Sequence, residues 1–192
     1  SFALNYSVQF IEDSIESTSL ENNFTSRRYN KASVLPEYQM SLNNEEQLTF
    51  RLGAAFDDTN RDDSDVSLIG DITWNTFSSD DTSQTLYLSY AEASQVAGYT
   101  AIGGSNTSGL FRSNDSLERE KTKNLELGLA LGGLNWSLDS AIFYRKDNDL
   151  TDWTYNLNST SARSANSVDI ETLGLELLAT TRLANAEIIT SY

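Results

Sequence analysis

Along most of the chain, hydrophobic and polar residues take turns one for one. Phe2, Leu4, Tyr6, Val8 and Phe10 alternate with Ala3, Asn5, Ser7 and Gln9. Leu48, Phe50, Leu52, Ala54 and Phe56 alternate with Thr49, Arg51, Gly53 and Ala55, and Val66, Leu68, Ile72 and Trp74 share one parity against Ser67, Asp71 and Thr73. The same period returns in Leu125 to Leu131, in Trp136 to Arg145 and in Thr172 to Leu177. A period of two places the apolar set on one face of an extended strand and the polar set on the other. It predicts an all-β, antiparallel meander of about nine strands, near 2–12, 31–42, 47–57, 65–77, 84–91, 122–132, 134–149, 168–181 and 185–192.

The connections alternate in length. Asn43 to Glu46, Ser78 to Ser83, Gly132-Gly133 and Arg182 to Ala184 are short. Asp13 to Asn30, Asp58 to Ser64, Glu92 to Lys121 and Leu150 to Ser167 are mostly longer and polar. Strands of about 10 residues, with tight turns at one end and long loops at the other, make the pattern of an outer-membrane barrel. The short turns are then periplasmic and the long loops extracellular. Phe2, Trp74, Phe77 and Trp136 fall toward the periplasmic ends, and Phe56, Tyr90 and Tyr144 toward the extracellular ends, as two interfacial girdles would. Aromatic residues also favour strands for other reasons. Arg51, Glu126, Asp139, Arg145 and Glu176 lie opposite the apolar stripe. They suit a polar lumen or, in a soluble sandwich, ordinary solvent.

Composition narrows the chemistry. The chain of 192 residues has no Cys and no His, which removes a disulfide framework, His- or Cys-based nucleophilic catalysis and the usual zinc and haem ligands. The formal charge of −15 excludes a nucleic-acid partner, which needs a basic face. No run of about 18 apolar residues could form a transmembrane helix. Ser1 begins almost on a strand pattern and Tyr192 ends inside one. The expected organisation is therefore residues 1–192 as part of a larger transmembrane β-barrel, without a plug.

Four stretches resemble the barrels of TonB-dependent receptors. Gly109 to Gly128, reading GLFRSNDSLEREKTKNLELG, resembles a loop-to-strand motif of that family, with Leu117, Glu120, Thr122, Asn124, Glu126 and Gly128 matching. Ser113 and Ser116 stand where the family usually has Gly and Pro, Arg119 where Pro is commoner, and Leu125 where Tyr is usual. Ala141 to Leu150 looks like the family's strand that ends in Phe-Tyr and enters an Asp-Leu loop. Thr172 to Leu177 looks like its Thr-x-Gly-Val-Glu strand, and Ser89 to Ser94 resembles a strand end upstream. The resemblance covers about residues 86–180. It implies a receptor of the bacterial outer membrane that binds a scarce ligand on its extracellular loops. Import would follow when TonB pulls on the plug. Ferric siderophores, cobalamin and oligosaccharides are the implied ligand classes, and no enzyme chemistry is implied. The implied partners are outer-membrane lipid, the remaining strands and plug of a barrel of ~22 strands, the TonB system and the small-molecule or oligosaccharide ligand. The alternative is a soluble all-β binding module, a carbohydrate-binding or adhesin-like sandwich or jelly roll.

Candidate sites follow from the loops. Tyr99, Phe111, Arg112, Trp153 and Tyr155 are candidate ligand contacts, because loop aromatics and Arg so often serve recognition. They could equally pack loops on one another. Asp57, Asp58, Asp62, Asp63 and Asp65 form the densest acidic run and could hold Ca²⁺, a hard cation that takes several carboxylate oxygens. The run lacks EF-hand spacing and also suits a solvated acidic loop. No other cofactor is expected. Glu118 and Glu120 alternate on an extended segment and so point apart, which spoils a shared acid–base site. Asn-x-Ser/Thr at Asn5, Asn23, Asn106, Asn114 and Asn158 is expected by chance in so Asn- and Ser-rich a chain.

Overall fold

A computed structural model describes residues 1–18, 20, 24–77, 81–155 and 162–192. The strands are β1 (Phe2–Ser14), β2 (Ser26–Ser41), β3 (Glu46–Thr59), β4 (Asp65–Phe77), β5 (Ser83–Gln95), β6 (Phe111–Arg112), β7 (Glu120–Gly133), β8 (Trp136–Thr154), β9 (Arg163–Leu183) and β10 (Ala186–Ser191). Among the described residues one short helix, α1 (Tyr99–Gly103), interrupts the series. All the strands join a single sheet. Nine follow one another in chain order, each pairing antiparallel with its predecessor on the path, and β6 alone leaves the path to pair parallel with β9. A sandwich would need a second sheet packed on the first; the described strands form only one.

Register explains why the alternation matters. Phe2, Tyr38, Phe50, Ile72, Leu88, Leu127, Ile142 and Leu175 are successive cross-strand partners, so one apolar row crosses eight strands unbroken. Leu52, Gly70, Tyr90, Leu125, Tyr144 and Leu173 form a second such row. One residue further along, the row reads Glu37, Arg51, Asp71, Ser89, Glu126, Phe143 and Gly174. A slip of one residue would exchange the two faces, bringing Arg51, Asp71 or Glu126 into the apolar row of its strand, so the two-faced pattern specifies the register.

The faces are inside-out relative to a water-soluble protein. Ile72 and Leu88 in the middle of the sheet are each 45% exposed, and Leu127 and Ile142 each 47%. Within the strands it is the polar parity that is buried, at Thr49, Asp57, Ser67 and Asp147. That face is stitched by polar bonds. The Arg51 guanidinium meets Asp71 at 2.7 Å, Thr73 donates to the same carboxylate at 3.0 Å, and the Tyr87 hydroxyl donates to Glu126 at 2.6 Å. Two rings of the polar face lie over glycines of the neighbouring strand: a Cβ at Gly128 would overlap the Tyr87 ring, and one at Gly174 the Phe143 ring. An aromatic laid over a strand glycine covers backbone that would otherwise stay bare. A polar, internally bonded face opposite a continuous apolar band is the cross-section of a barrel wall.

The strands outrun their predicted limits at the loop end. β2 begins at Ser26, β5 runs on to Gln95, and β8 and β9 remain paired through Trp153↔Ala165 and Thr154↔Ser164. At both ends of the segment Leu150 to Ser167, expected as a loop, the described residues are thus paired strand. Its alternation was hidden by an irregularity between Asp147 and Leu150, where Asp149 takes φ 56°. One extra residue shifts the parity. At the other end, Gly132 and Gly133 belong to β7, and the turn falls on Leu134 and Asn135. Part of the expected Ser78 to Ser83 turn, and Asn23 and Asn158, lie outside the described residues.

Candidate functional site

The longest connection, between β5 and β7, folds into a structure of its own. Val96, Ala97, Ala101, Ile102 and Leu117 of this segment bury themselves together with Ala165 of β9, and Phe24, Tyr29 and Trp153 pack against them. Small residues at 97, 101 and 165 allow α1 to settle closely on the β8–β9 hairpin. α1 spans only five residues, too short to stand by itself, so this packing must hold it.

Polar fastenings secure the segment at both ends. At its start, the Tyr99 hydroxyl donates to the Asp13 carboxylate, which also takes two bonds of 3.0 Å from Arg27. The Arg27 guanidinium lies 4.3 Å from the centre of the Tyr99 ring, a cation–π contact. Burial, with the hydrogen bond to Asp13 second, holds the Tyr99 phenol above its ordinary pKa. At its end, Arg119 is buried and donates to Asp57 at 3.2 Å and to the Asp63 carbonyl at 3.0 Å. Arg61 reaches back from beyond β3 to the carbonyls of Asp115 and Leu117, at 2.7 and 3.0 Å. Glu120, also buried, takes bonds from the Gln95 side chain and the Thr151 backbone N–H.

Three of the five carboxylates in the acidic run meet cations that the chain supplies. Asp57 pairs with Lys31 and Arg119, Asp62 with Arg61, and Asp65 with Lys121 at 2.7 Å. Asp58 accepts from the Asn30 amide. Among the described residues no group of three or more Asp, Glu, His or Cys is placed to hold a metal ion.

A recess of about 580 Å³ opens between α1 and the hairpin. Phe111 and Trp153 form its wall, edge to face with ring centres 5.1 Å apart. Thr18, Thr100, Ser105 and Ser108 and two glycines complete the lining. Of the five ligand-contact candidates, the structure brings Phe111 and Trp153 together here. Both lie on strands rather than free loops, β6 being held on β9 through Phe111↔Arg163. Tyr99 is taken up by the Asp13–Arg27 cluster. Arg112 follows Phe111 on an extended segment, is half-buried and does not line the recess. Tyr155 stands 62% exposed just past β8.

The family model for the TonB dependent receptor-like β-barrel matches residues 3–192. The chain belongs to this family. Among solved structures, the Copper transporter OprC is similar, with a TM-score of 0.54 and 19% sequence identity over 86% of this chain. The chain spans 27% of the length of that transporter. No curated protein sequence matches it. As a stretch of TonB-dependent receptor barrel, the sheet assigns its apolar rows to lipid, its polar rows to the lumen and the α1 assembly to the end with long connections. The family consists of receptors and transporters, not enzymes.

Sequence reading missed the fastenings. Arg119 and Arg61 look like ordinary loop charges until the turn after β3 and the return into β7 are side by side. The pairing of Asp13 with Arg27 was visible in principle, since a hairpin about their midpoint puts them opposite each other. The recess hydroxyls carried no signal, because Ser and Thr are abundant throughout the chain.

Proposed function

We propose that this chain is a wall segment, with its extracellular loops, of an outer-membrane receptor that takes up a scarce ligand in a TonB-dependent manner. Residues 1–192 belong on this reading to a larger barrel, which also encloses a plug that couples to TonB. The observation that carries the proposal is the apolar row unbroken across eight strands, backed by a buried polar face. Water would penalise that row, whereas lipid rewards it. The α1 assembly, with Phe111 and Trp153 at its recess, is the ligand-capturing part.

The similar transporter handles copper, but this segment offers little to a soft metal. It has no His or Cys, and Met40, its one methionine, shares the parity of the apolar rows. The acidic run adds no metal to the proposal, since Asp57, Asp62 and Asp65 already have Lys or Arg partners. An organic ligand fits the loops better.

The test uses the full receptor expressed in its own host. It should fractionate with the outer membrane. Phe111→Ala combined with Trp153→Ala should abolish uptake while heat-modifiable migration shows an intact barrel. Uptake at the unaltered level in that double variant would remove the recess from the transport path.

A further inference from the structure

Resting on the reading of this sheet as outer-membrane barrel wall, we propose that the outward face of β7 and β8 carries a binding site for the phosphorylated headgroup of an outer-leaflet lipid. The register places its side chains. On strands β5, β7, β8 and β9 the last apolar row before the loop end is Tyr90, Leu125, Tyr144 and Leu173. Two residues nearer the loop end, on the same parity, the successive cross-strand partners are Glu92, Lys123, Lys146 and Glu171. Interfacial aromatics lie at headgroup level, and two residues of strand add about 7 Å, so this charged row stands among the headgroups.

The chain has four lysines and a formal charge of −15. Three of the four, Lys121, Lys123 and Lys146, share the outward parity of these two adjacent strands. Arg145, next to Lys146, takes the opposite parity and bonds Asp147. Lys123 and Lys146 face each other directly across the strands, a pairing of like charges that costs stability. The carboxylates flank this pair instead of separating it: Glu92 lies 3.3 Å from Lys123, and Glu171 3.1 Å from Lys146. Glu92 is itself held, by the Tyr90 hydroxyl at 2.6 Å and the Leu68 backbone N–H at 2.9 Å, and so fixes where Lys123 stands. The side chains of Lys123 and Lys146 remain 53% and 42% exposed. An ammonium has three N–H donors, so each keeps capacity for a further acceptor. Exposed ion pairs are worth little, and a phosphate set between the two lysines would relieve their repulsion.

The geometry favours a lipid over a free anion. The site lies on an open sheet face, where a soluble phosphate would meet only exposed, salt-screened charges. A lipid whose chains already rest on Leu125 and Leu173 brings its phosphate to the lysines at high effective concentration.

The experiment is native mass spectrometry of the full receptor in non-ionic detergent. The probes are diphosphoryl lipid A, the same lipid dephosphorylated, and inorganic phosphate. The variants are Lys123→Gln, Lys146→Gln, the two combined, and Arg182→Gln, which removes an exposed cation at the end with short turns. The phosphorylated lipid should bind the unaltered receptor. Each lysine variant should weaken it about fivefold and the double variant about 25-fold, the effect of one basic residue near an anionic surface applied once and twice. Arg182→Gln should leave it unchanged. Undiminished binding in the double variant, or equal binding of the dephosphorylated lipid, would overturn the site. Inorganic phosphate binding as tightly as the lipid would overturn the lipid assignment. Outer-membrane fractionation and heat-modifiable migration, followed in parallel, keep the two readings apart. A receptor that enters the outer membrane but binds the lipid independently of both lysines sinks this inference alone, whereas one that never enters it sinks the barrel-wall reading as well.

Discussion

The barrel wall and the loop assembly are built from the same chain on opposite rules. In the wall, side chains such as Leu88 and Leu127 point outward and polar ones such as Thr49 and Asp147 are covered. In the assembly, Val96, Ile102 and Leu117 are buried among small residues, as in any water-soluble core. The change of rule falls at the end with long connections, where the strands of an outer-membrane barrel leave the lipid. A hydrophobic residue gains from facing outward only where hydrocarbon lies outside. Above that level the chain must hide its apolar groups internally, and with few of them it needs charged fastenings as well. The wall is therefore stabilised by its solvent, and the assembly by its own contacts.

Perturbations can separate the two rules. The largest effect is expected from charging the wall: Leu127→Arg or Leu175→Arg should cost ~2–4 kcal/mol of folding stability in lipid, if the residue sits near the bilayer midplane. Urea titration in vesicles measures this. A cost near zero for both would mean that the exposed rows do not face hydrocarbon.

Next comes the assembly. Arg119→Ala removes a buried guanidinium and leaves Asp57 with Lys31 alone, at a cost of about 2 kcal/mol to local closure. Amide exchange should speed up over residues 113–119 and stay unchanged in β3 to β5 below. Uniform acceleration through the strands would show that wall and assembly are one cooperative unit.

A smaller effect is expected inside the lumen. Gly128→Val would displace the Tyr87 ring and break its bond to Glu126, costing about 1–2 kcal/mol as an overpacked site. The check is an unfolding midpoint compared with Gly128→Ala, which should lose less. The smallest effect should be a gain. Ala184 holds φ 52° in the turn between β9 and β10. Ala184→Gly relieves a left-handed conformation worth about 1 kcal/mol. A lower midpoint for that variant would contradict the strained turn.

How much the sequence revealed follows the same division. The middle stretches of most wall strands were legible because an apolar face on one side and a polar face on the other impose a period of two. Leu125 to Leu131 could hardly be read otherwise. The assembly was not legible. α1 is a single turn kept by tertiary packing, and its apolar residues Val96, Ala97, Ala101 and Ile102 follow no strand period. β6 has two residues and exists only because Arg163 and Ser164 lie beside it. The candidate contacts Phe111 and Trp153 could be picked as unusual loop aromatics, but their meeting depends on a register between segments about 40 residues apart, to which alternation is blind. Tyr99 shows the converse. It stood out by the same criterion and proves to be committed to Asp13 and Arg27.

The fastening of the loop assembly has a bearing on where such a receptor can work. The medium outside a bacterium changes in salt content from fresh water to brine, and the cell does not regulate it. Ion pairs open to that medium weaken as the Debye length shrinks from ~30 Å at 0.01 M to ~3 Å at 1 M. Arg61 and Arg119 largely avoid this dependence. They bind the backbone carbonyls of Asp63, Asp115 and Leu117, and Arg119 meets Asp57 where both are buried. A carbonyl hydrogen bond carries no net charge on one side for ions to screen, and a buried pair is largely out of their reach. The mouth of the barrel should accordingly hold its shape in dilute and concentrated surroundings alike.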